Sequence, residues 1–314
     1  MTDWLSFVPT RQDTAFAIEH LATKLFDSPN VGQQKLPPEL RLLDLCSGSG
    51  CIPLLFRHEF WKRSNRRQNK IRQECTSVTA VGVDISPNAL DLARENNDRL
   101  EYLVPTEFLY ADVLTGLEKE SSGKKKINEE QQDIKLGTAE TRTSSGRNKK
   151  KSAEPAPPLQ EILQARGQER WDILTANPPY ISPYAFNHST SRSVRRFEPK
   201  TALVPPALLQ VDSGVITDPG DVFYPSLLRH AQFCEAQIVL FEISELSQAV
   251  RVARMMKAQG LWAGIQIWRD VPWENRPGNE QDLETVEGFQ VFGAGEARSV
   301  ICFTNVGKQW LKTG

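Results

Sequence analysis

Leu42-Leu43-Asp44-Leu45-Cys46-Ser47-Gly48-Ser49-Gly50-Cys51 decides the reading of this chain. An apolar run enters a glycine-rich turn, and the apolar segment from Cys51 onward has helical spacing. Strand, glycine turn and helix in that order are the opening unit of an α/β sheet that holds a ligand at the carboxyl ends of its strands. Glycine lets the backbone adopt positive φ and pass close to a ligand. The same alternation continues outward. Candidate strands are Arg41–Cys46, Val78–Asp84, Glu107–Tyr110, Trp171–Ala176, Gln237–Ile243, Leu261–Trp268 and Arg298–Thr304. Candidate helices are Thr14–Phe26, Cys51–Phe60, Pro87–Leu100, Phe223–Phe233 and Glu245–Gln259. Strands alternating with helices, several of them rich in Val, Ile and Leu, predict a seven-stranded, mostly parallel sheet with helices on both faces.

The chain has 314 residues, 39% hydrophobic and 25% charged, with a formal net charge of -1. That is long enough for one large α/β domain or two small ones, is ordinary for a soluble globular protein, and gives no global field toward nucleic acid or an anionic membrane. No apolar run approaches the length of a membrane span. Cys46, Cys51, Cys75, Cys234 and Cys302 form no CxxC pair and read as reduced thiols. Four scattered histidines make a metal site an unfavoured reading. Met1-Thr2-Asp3-Trp4 does not look like a secretory or transit signal.

Two stretches interrupt the pattern. Arg57 to Arg72 is strongly basic. Leu117 to Gly167 carries Lys124-Lys125-Lys126 and Lys149-Lys150-Lys151, then Pro155, Pro157 and Pro158, and reads as a disordered insertion. These stretches are the only ground for nucleic-acid contact, against the plainer reading of a solvated tether. The organisation expected is a helical lead-in over residues 1–40, then one catalytic domain over 41–314 carrying the insertion at about 117–167.

The third position of a dinucleotide fingerprint is taken by Pro53, so a pyrophosphate cradle is disfavoured. Asp44 inside the motif suits a cationic amino group. Asp84 ends the next strand, where an acid can accept both hydroxyls of a ribose. Asp112 ends the strand after that, near the place of an adenine. Each acid alone could be a helix cap or a solvated carboxylate. Three acids ending three successive strands are a stronger pattern.

Trp171-Asp172-Ile173-Leu174-Thr175-Ala176-Asn177-Pro178-Pro179-Tyr180 is the most specific signal. The prolines end the strand, because neither can donate to a ladder, and they stiffen the loop. If the Asn177 side-chain oxygen and the Pro178 carbonyl each accept one N–H, a planar amide or amino nitrogen is held with its lone pair free. The Tyr180 ring can stack on the planar group. A plain proline turn would not require Asn before and an aromatic after.

These segments resemble the class I S-adenosylmethionine-dependent methyltransferase fold and, within it, the HemK/PrmC family of protein-glutamine N5-methyltransferases. The likeness runs from about Trp4 to Phe303 apart from the two interruptions. It is carried by Asp44 to Ile52, Asp84 to Leu90, Asn177 to Ile181, and Arg195-Arg196-Phe197-Glu198-Pro199 followed by Ala202-Leu203. Adenine-N6 DNA methyltransferases share the Asn-Pro-Pro-Tyr motif but not the later segment. The resemblance implies S-adenosyl-L-methionine as cofactor, held by Asp44, Cys46, Ser47, Gly48, Gly50, Asp84, Ile85, Asp112, Val113 and Asn177. It implies Asn177, Pro178 and Tyr180 as catalytic residues, and these with Pro179 and Glu198 as the substrate site. It implies as substrate the glutamine of the Gly-Gly-Gln motif in a class-1 peptide chain release factor, hence a role in translation termination. The competing enzyme reading is a nucleic-acid amino methyltransferase acting on adenine N6 or guanine N2.

The Arg-Arg-Phe-Glu-Pro segment is of the type seen in members acting on bacterial or organellar factors, which implies a fungal or organellar-like member located in mitochondria. The family's helical N-terminal domain is represented here only by its last residues. Pro9 to Thr14 resembles the family's lead-in segment with one extra residue and no final Glu, and Val204-Pro205-Pro206 replaces a usual glycine-rich turn. The expectation is a monomer whose native gene product begins upstream of Met1.

Overall fold

The computed structural model describes residues 12–27, 36–65, 75–100, 106–116, 155–206, 218–274 and 284–311. They build one twisted sheet between two helical layers. The strands are β1 (Glu39–Leu45), β2 (Ser77–Asp84), β3 (Glu107–Tyr110), β4 (Ile173–Ala176), β5 (Ile238–Glu242), β6 (Gly264–Val271), β7 (Thr285–Val286), β8 (Phe289–Phe292) and β9 (Ala294–Phe303). Their spatial order is β3-β2-β1-β4-β5-β9-β6-β8-β7. Every neighbouring pair from β3 through β5 is parallel, and β9 runs antiparallel between β5 and β6.

Burial on both faces explains the apolar strands. Leu40 and Leu42 of β1 face a core built with α1 (Gln12–Phe26), α2 (Cys51–Ser64) and α3 (Pro87–Asp98). Leu43 and Leu45 face a second core with α4 (Leu159–Ala165), α7 (Tyr224–Phe233) and α8 (Leu246–Ala258). The lead-in helix α1 is part of the first core, through Ala15, Ile18, Leu21, Ala22 and Leu25. Pro87 opens α3 at its first turn, and the Ser86 hydroxyl caps it by accepting from the Ala89 amide. No helix among the described residues is long and apolar enough to cross a membrane.

Two expectations are corrected. Among the described residues the sheet has nine strands rather than seven. The additional pair, β7 and β8, is a hairpin turned by Glu287 (φ 52°) and Gly288 (φ 83°). Paired positive φ values make the tight turn that matches strand twist, but Glu-Gly is a weaker written signal than Asn-Gly. The second correction concerns the tail of the low-complexity stretch. Residues 155–167 are structured, with α4 burying Leu159 and Leu163 completely. That apolar pair at helical spacing was masked by its lysine-, serine- and proline-rich surroundings. Residues 117–154, with both lysine clusters, lie outside the described residues.

Candidate active site

The sheet register brings the expected residues together. Val83, Leu45, Ala176 and Phe241 form one continuous row across β2, β1, β4 and β5. The next residue on each strand is therefore Asp84, Cys46, Asn177 and Glu242, side by side at the carboxyl edge. Such an edge is where parallel α/β sheets bind ligands.

The glycine turn is shaped by its backbone. Cys46, Gly48 and Gly50 all have positive φ (58°, 55° and 77°). A Cβ on Gly50 would lie 2.7 Å from the Phe108 ring and 3.1 Å from Ala93, whereas a Cβ on Gly48 would meet open space. The first glycine thus leaves room beside the turn, and the second permits close packing of helix on sheet. The Ser47 amide donates to the Val83 carbonyl at 2.9 Å. The Asp84 carboxylate accepts from the Gly48 amide (2.8 Å) and the Ser86 amide (2.8 Å), so it braces the turn as well as facing the rim. Burial raises its pKa against the pull of those amides.

Asp44 is fully buried. Its Oδ1 accepts from the Thr175 hydroxyl at 2.7 Å, while Oδ2 has no partner among the described residues. Burial pushes its carboxyl up to about 7, and the Thr175 hydrogen bond opposes that rise. The buried Ser47 hydroxyl lies close enough to Asp44 to oppose that rise as well, but no well-formed hydrogen bond engages it among the described residues. Two orphaned polar atoms beside a turn with open space fit a ligand carrying a cationic amino group, since unpaired buried polar atoms are costly. Ile85, 55% exposed, offers an apolar surface just past Asp84.

Asp112 is pinned on both sides of its main chain, to Pro157 and Leu159, and its Oδ1 accepts the Leu114 amide at 2.8 Å. The Val113 side chain is buried, and its carbonyl accepts from Ser226 (2.6 Å) and from His230 Nε2 (2.9 Å). Val113 can therefore serve a ligand only through its main chain. His230 is held neutral by burial, its pKa lowered to about 4.

In the proline loop, Pro178 is buried and Asn177, Pro179 and Tyr180 are half-buried. Tyr180 is held at both ends. Its hydroxyl donates to Glu242 Oε1 at 3.1 Å, and its carbonyl accepts from Gln248 Nε2 at 3.2 Å. The buried Gln248 amide also reaches the Gly220 carbonyl (3.2 Å) and Asp221 Oδ1 (3.0 Å), and its oxygen accepts the Ser244 amide (2.7 Å). The Ile181 amide donates to the Leu203 carbonyl at 2.9 Å. That bond ties the loop to the segment that follows α5 (Pro183–His188) and α6 (Arg192–Phe197). Glu198 is half-buried as the C-cap of α6. Among the described residues no hydrogen bond engages the Asn177 side chain, which leaves its amide for a substrate. Beside the loop lies a small cleft, open to solvent, lined in part by Thr14, Thr175, Glu242, Arg298 and Ser299.

Thr14, Thr175, Glu242 and Gln248 were absent from the sequence reading. Only Glu242, an acid ending an apolar strand, carried a signal that could have found it. The basic stretch from Arg57 fares differently in its described part. Arg57 is buried against Thr106, Lys62 pairs with Glu59, and Arg63 pairs with Asp27 and Glu59. Those cations are engaged within the fold, which weakens the nucleic-acid reading.

No family model matches the chain. It is 28% identical over 242 residues to a protein of Schizosaccharomyces pombe described as a probable MRF1 mitochondrial N(5)-glutamine methyltransferase, covering 74% of this chain and 57% of that protein. It is 24% identical over 267 residues to the release factor glutamine methyltransferase of Chlorobaculum tepidum, covering 83% of this chain and 62% of that one. The match thus spans about three-fifths of the length of these two relatives. Solved structures overlap more loosely. A putative class I S-adenosylmethionine-dependent methyltransferase of Listeria monocytogenes gives a TM-score of 0.43 at 12% identity, over 94% of this chain and 60% of that one. The hMettl16 catalytic domain gives 0.44 at 9%, over 95% and 71%.

Proposed function

We propose that the chain is an S-adenosylmethionine-dependent methyltransferase acting on the side-chain amide nitrogen of a glutamine. We further propose that this glutamine lies in the Gly-Gly-Gln motif of a class-1 peptide chain release factor. The observation that carries this reading is the adjacency of Asn177 to the glycine turn, fixed by the Leu45–Ala176 register. The two relatives described as glutamine methyltransferases support the substrate, and the mitochondrial description of one supports an organellar location.

The cofactor supplies an electrophilic methyl group on a sulfonium. Asp44 and Ser47 would hold its amino-acid end, Asp84 its ribose hydroxyls, and Ile85 with the Asp112 side chain and the Val113 amide its adenine. The chain's other task is to present a poor nucleophile, because an amide lone pair is delocalised into its π-system. The Asn177 oxygen and the Pro178 carbonyl each accept one N–H, which fixes the nitrogen in plane, and the Tyr180 ring covers the amide face. Orientation of this kind supplies up to ~7–11 kcal/mol of barrier reduction in well-ordered systems. No strong base is required beforehand, since the N–H becomes acidic only as the methyl arrives. Mass spectrometry of a release factor incubated with cofactor tests the reading. A gain of one methyl on the Gly-Gly-Gln glutamine is expected, whereas methylation confined to nucleic-acid bases would overturn it.

A further inference from the structure

We infer that Glu242 is the positioning residue for Tyr180, setting the ring that covers the substrate amide and coupling it to the N-terminal helix through Thr14. The inference rests on the reading of the Asn177–Tyr180 loop given above. Glu242 is the last residue of β5 and sits one strand over from Asn177. It is only 7% exposed and lines the cleft. One carboxylate oxygen accepts from the Tyr180 hydroxyl at 3.1 Å, and the other accepts from Thr14 Oγ1 of α1 at 2.6 Å. Its main-chain carbonyl accepts from the buried Tyr224 hydroxyl at 2.9 Å, which stops the strand end from moving.

A carboxylate removed from water is costly unless donors surround it. Here the donors come from two separate elements, one of them the loop that would hold the substrate. Tyr180 has two rotatable bonds between backbone and ring. With its carbonyl tied to Gln248 and its hydroxyl tied to Glu242, the ring keeps one tilt. Planar stacking depends on that tilt. The anchor acts before and during methyl transfer alike, so its loss belongs in KM rather than in kcat.

The test uses the full chain with a Gly-Gly-Gln peptide, comparing Tyr180→Phe, Glu242→Gln, Glu242→Leu and the Tyr180→Phe/Glu242→Gln pair. Losing one hydrogen bond to a charged group is expected to raise KM about tenfold in Tyr180→Phe. The double variant is expected to be no worse than Tyr180→Phe alone, because both changes remove one contact. Glu242→Gln keeps an acceptor oxygen and should lie between wild type and Glu242→Leu. S-adenosylhomocysteine affinity by calorimetry should stay within about twofold throughout. Additive KM effects would overturn the inference. So would a parallel loss of S-adenosylhomocysteine affinity, which would place Glu242 on the cofactor, or a fall in kcat at constant KM. Fluorine NMR of fluorotyrosine-labelled protein provides a readout free of turnover, with Tyr180→Phe assigning the signal. If the wild type methylates no glutamine, the functional reading fails on its own. The positioning inference still stands or falls on whether Glu242→Gln shifts or broadens the Tyr180 resonance. An unchanged resonance would sink it.

Discussion

The two loops at the carboxyl edge are held in opposite ways. The glycine turn at Cys46–Gly50 is fixed by its own backbone, through positive φ at three residues and main-chain amides bonded to Val83 and Asp84 on the neighbouring strand. The proline loop at Asn177–Tyr180 is fixed by side chains of other elements, Glu242 and Gln248, and by the Leu203 carbonyl, while among the described residues its Asn177 amide is left unengaged. A turn that cradles an invariant cofactor can be rigid throughout. A loop that receives a substrate needs a rigid frame with one unsatisfied group at its centre. Replacements in the first loop should therefore register in stability and cofactor binding, and replacements in the second in the handling of substrate, in kcat at Asn177 and in KM at Tyr180.

The largest effect is expected at Asn177. Asn177→Ala should lower kcat by about 10²–10³, by analogy with removing one preorganised polar group at a reacting centre, with the melting temperature and cofactor affinity retained. Near-normal turnover with the release factor would break the contrast between the loops. Next comes Gly50→Ala, which combines a left-handed φ with a Cβ pressed onto Phe108. The two costs together should remove about 2–4 kcal/mol of stability, read by denaturant unfolding. Gly48→Ala faces open space and should cost only the conformational part, about 1–2 kcal/mol. Equal destabilisation by the two would show that the turn does not distinguish its glycines.

In cofactor binding, a loss of about 1.5–3 kcal/mol is expected for Asp84→Ala. The structure sharpens this case. Asp84 accepts amides with both oxygens, and Asp84→Asn would turn an N–H toward Gly48 or Ser86. The isosteric change should therefore weaken binding nearly as much as truncation does. Titration calorimetry showing wild-type affinity for Asp84→Asn would remove the carboxylate from both of its roles.

This contrast also separates what the sequence shows from what it hides. Asp44, Gly48, Gly50, Asp84 and the Asn-Pro-Pro-Tyr run were legible because each sits in a short motif whose residue types are set by the local backbone. Glycine for positive φ, proline to end a strand and serine before proline to start a helix are local rules. Thr14, Glu242 and Gln248 were hidden because their roles arise from pairs 228, 62 and 68 residues apart. Nothing in their immediate surroundings marks such contacts. The β7–β8 hairpin was missed for a different reason, its strands being too short to show alternation. Helix α4 was missed because composition was averaged over a stretch whose last residues behave unlike the rest.

The smallest expected effect distinguishes two roles for Asp44. Burial holds its folded-state pKa near 7, well above the ordinary value of 3.8. A carboxyl raised in this way favours the folded protein only while it is protonated. Its contribution is fully present below pH about 4 and is lost as pH rises through about 7. Asp44→Asn stays neutral and keeps an oxygen for the Thr175 hydroxyl. Without cofactor, it should melt a few degrees above wild type at pH about 8, a kcal/mol being worth roughly 2–4 °C in a chain of this size. The gap should narrow as pH falls and close toward pH about 4. Cofactor binding should show the reverse order. An ammonium group beside Asp44 Oδ2 selects the carboxylate, so wild-type affinity should fall as pH drops below about 7, and Asp44→Asn should bind weakly at every pH. Thermal melts and calorimetry across that range check both halves. Parallel melting curves for the two proteins would show that Asp44 is not strained by burial. Equal cofactor affinity would show that its unpartnered oxygen does not face the ammonium group.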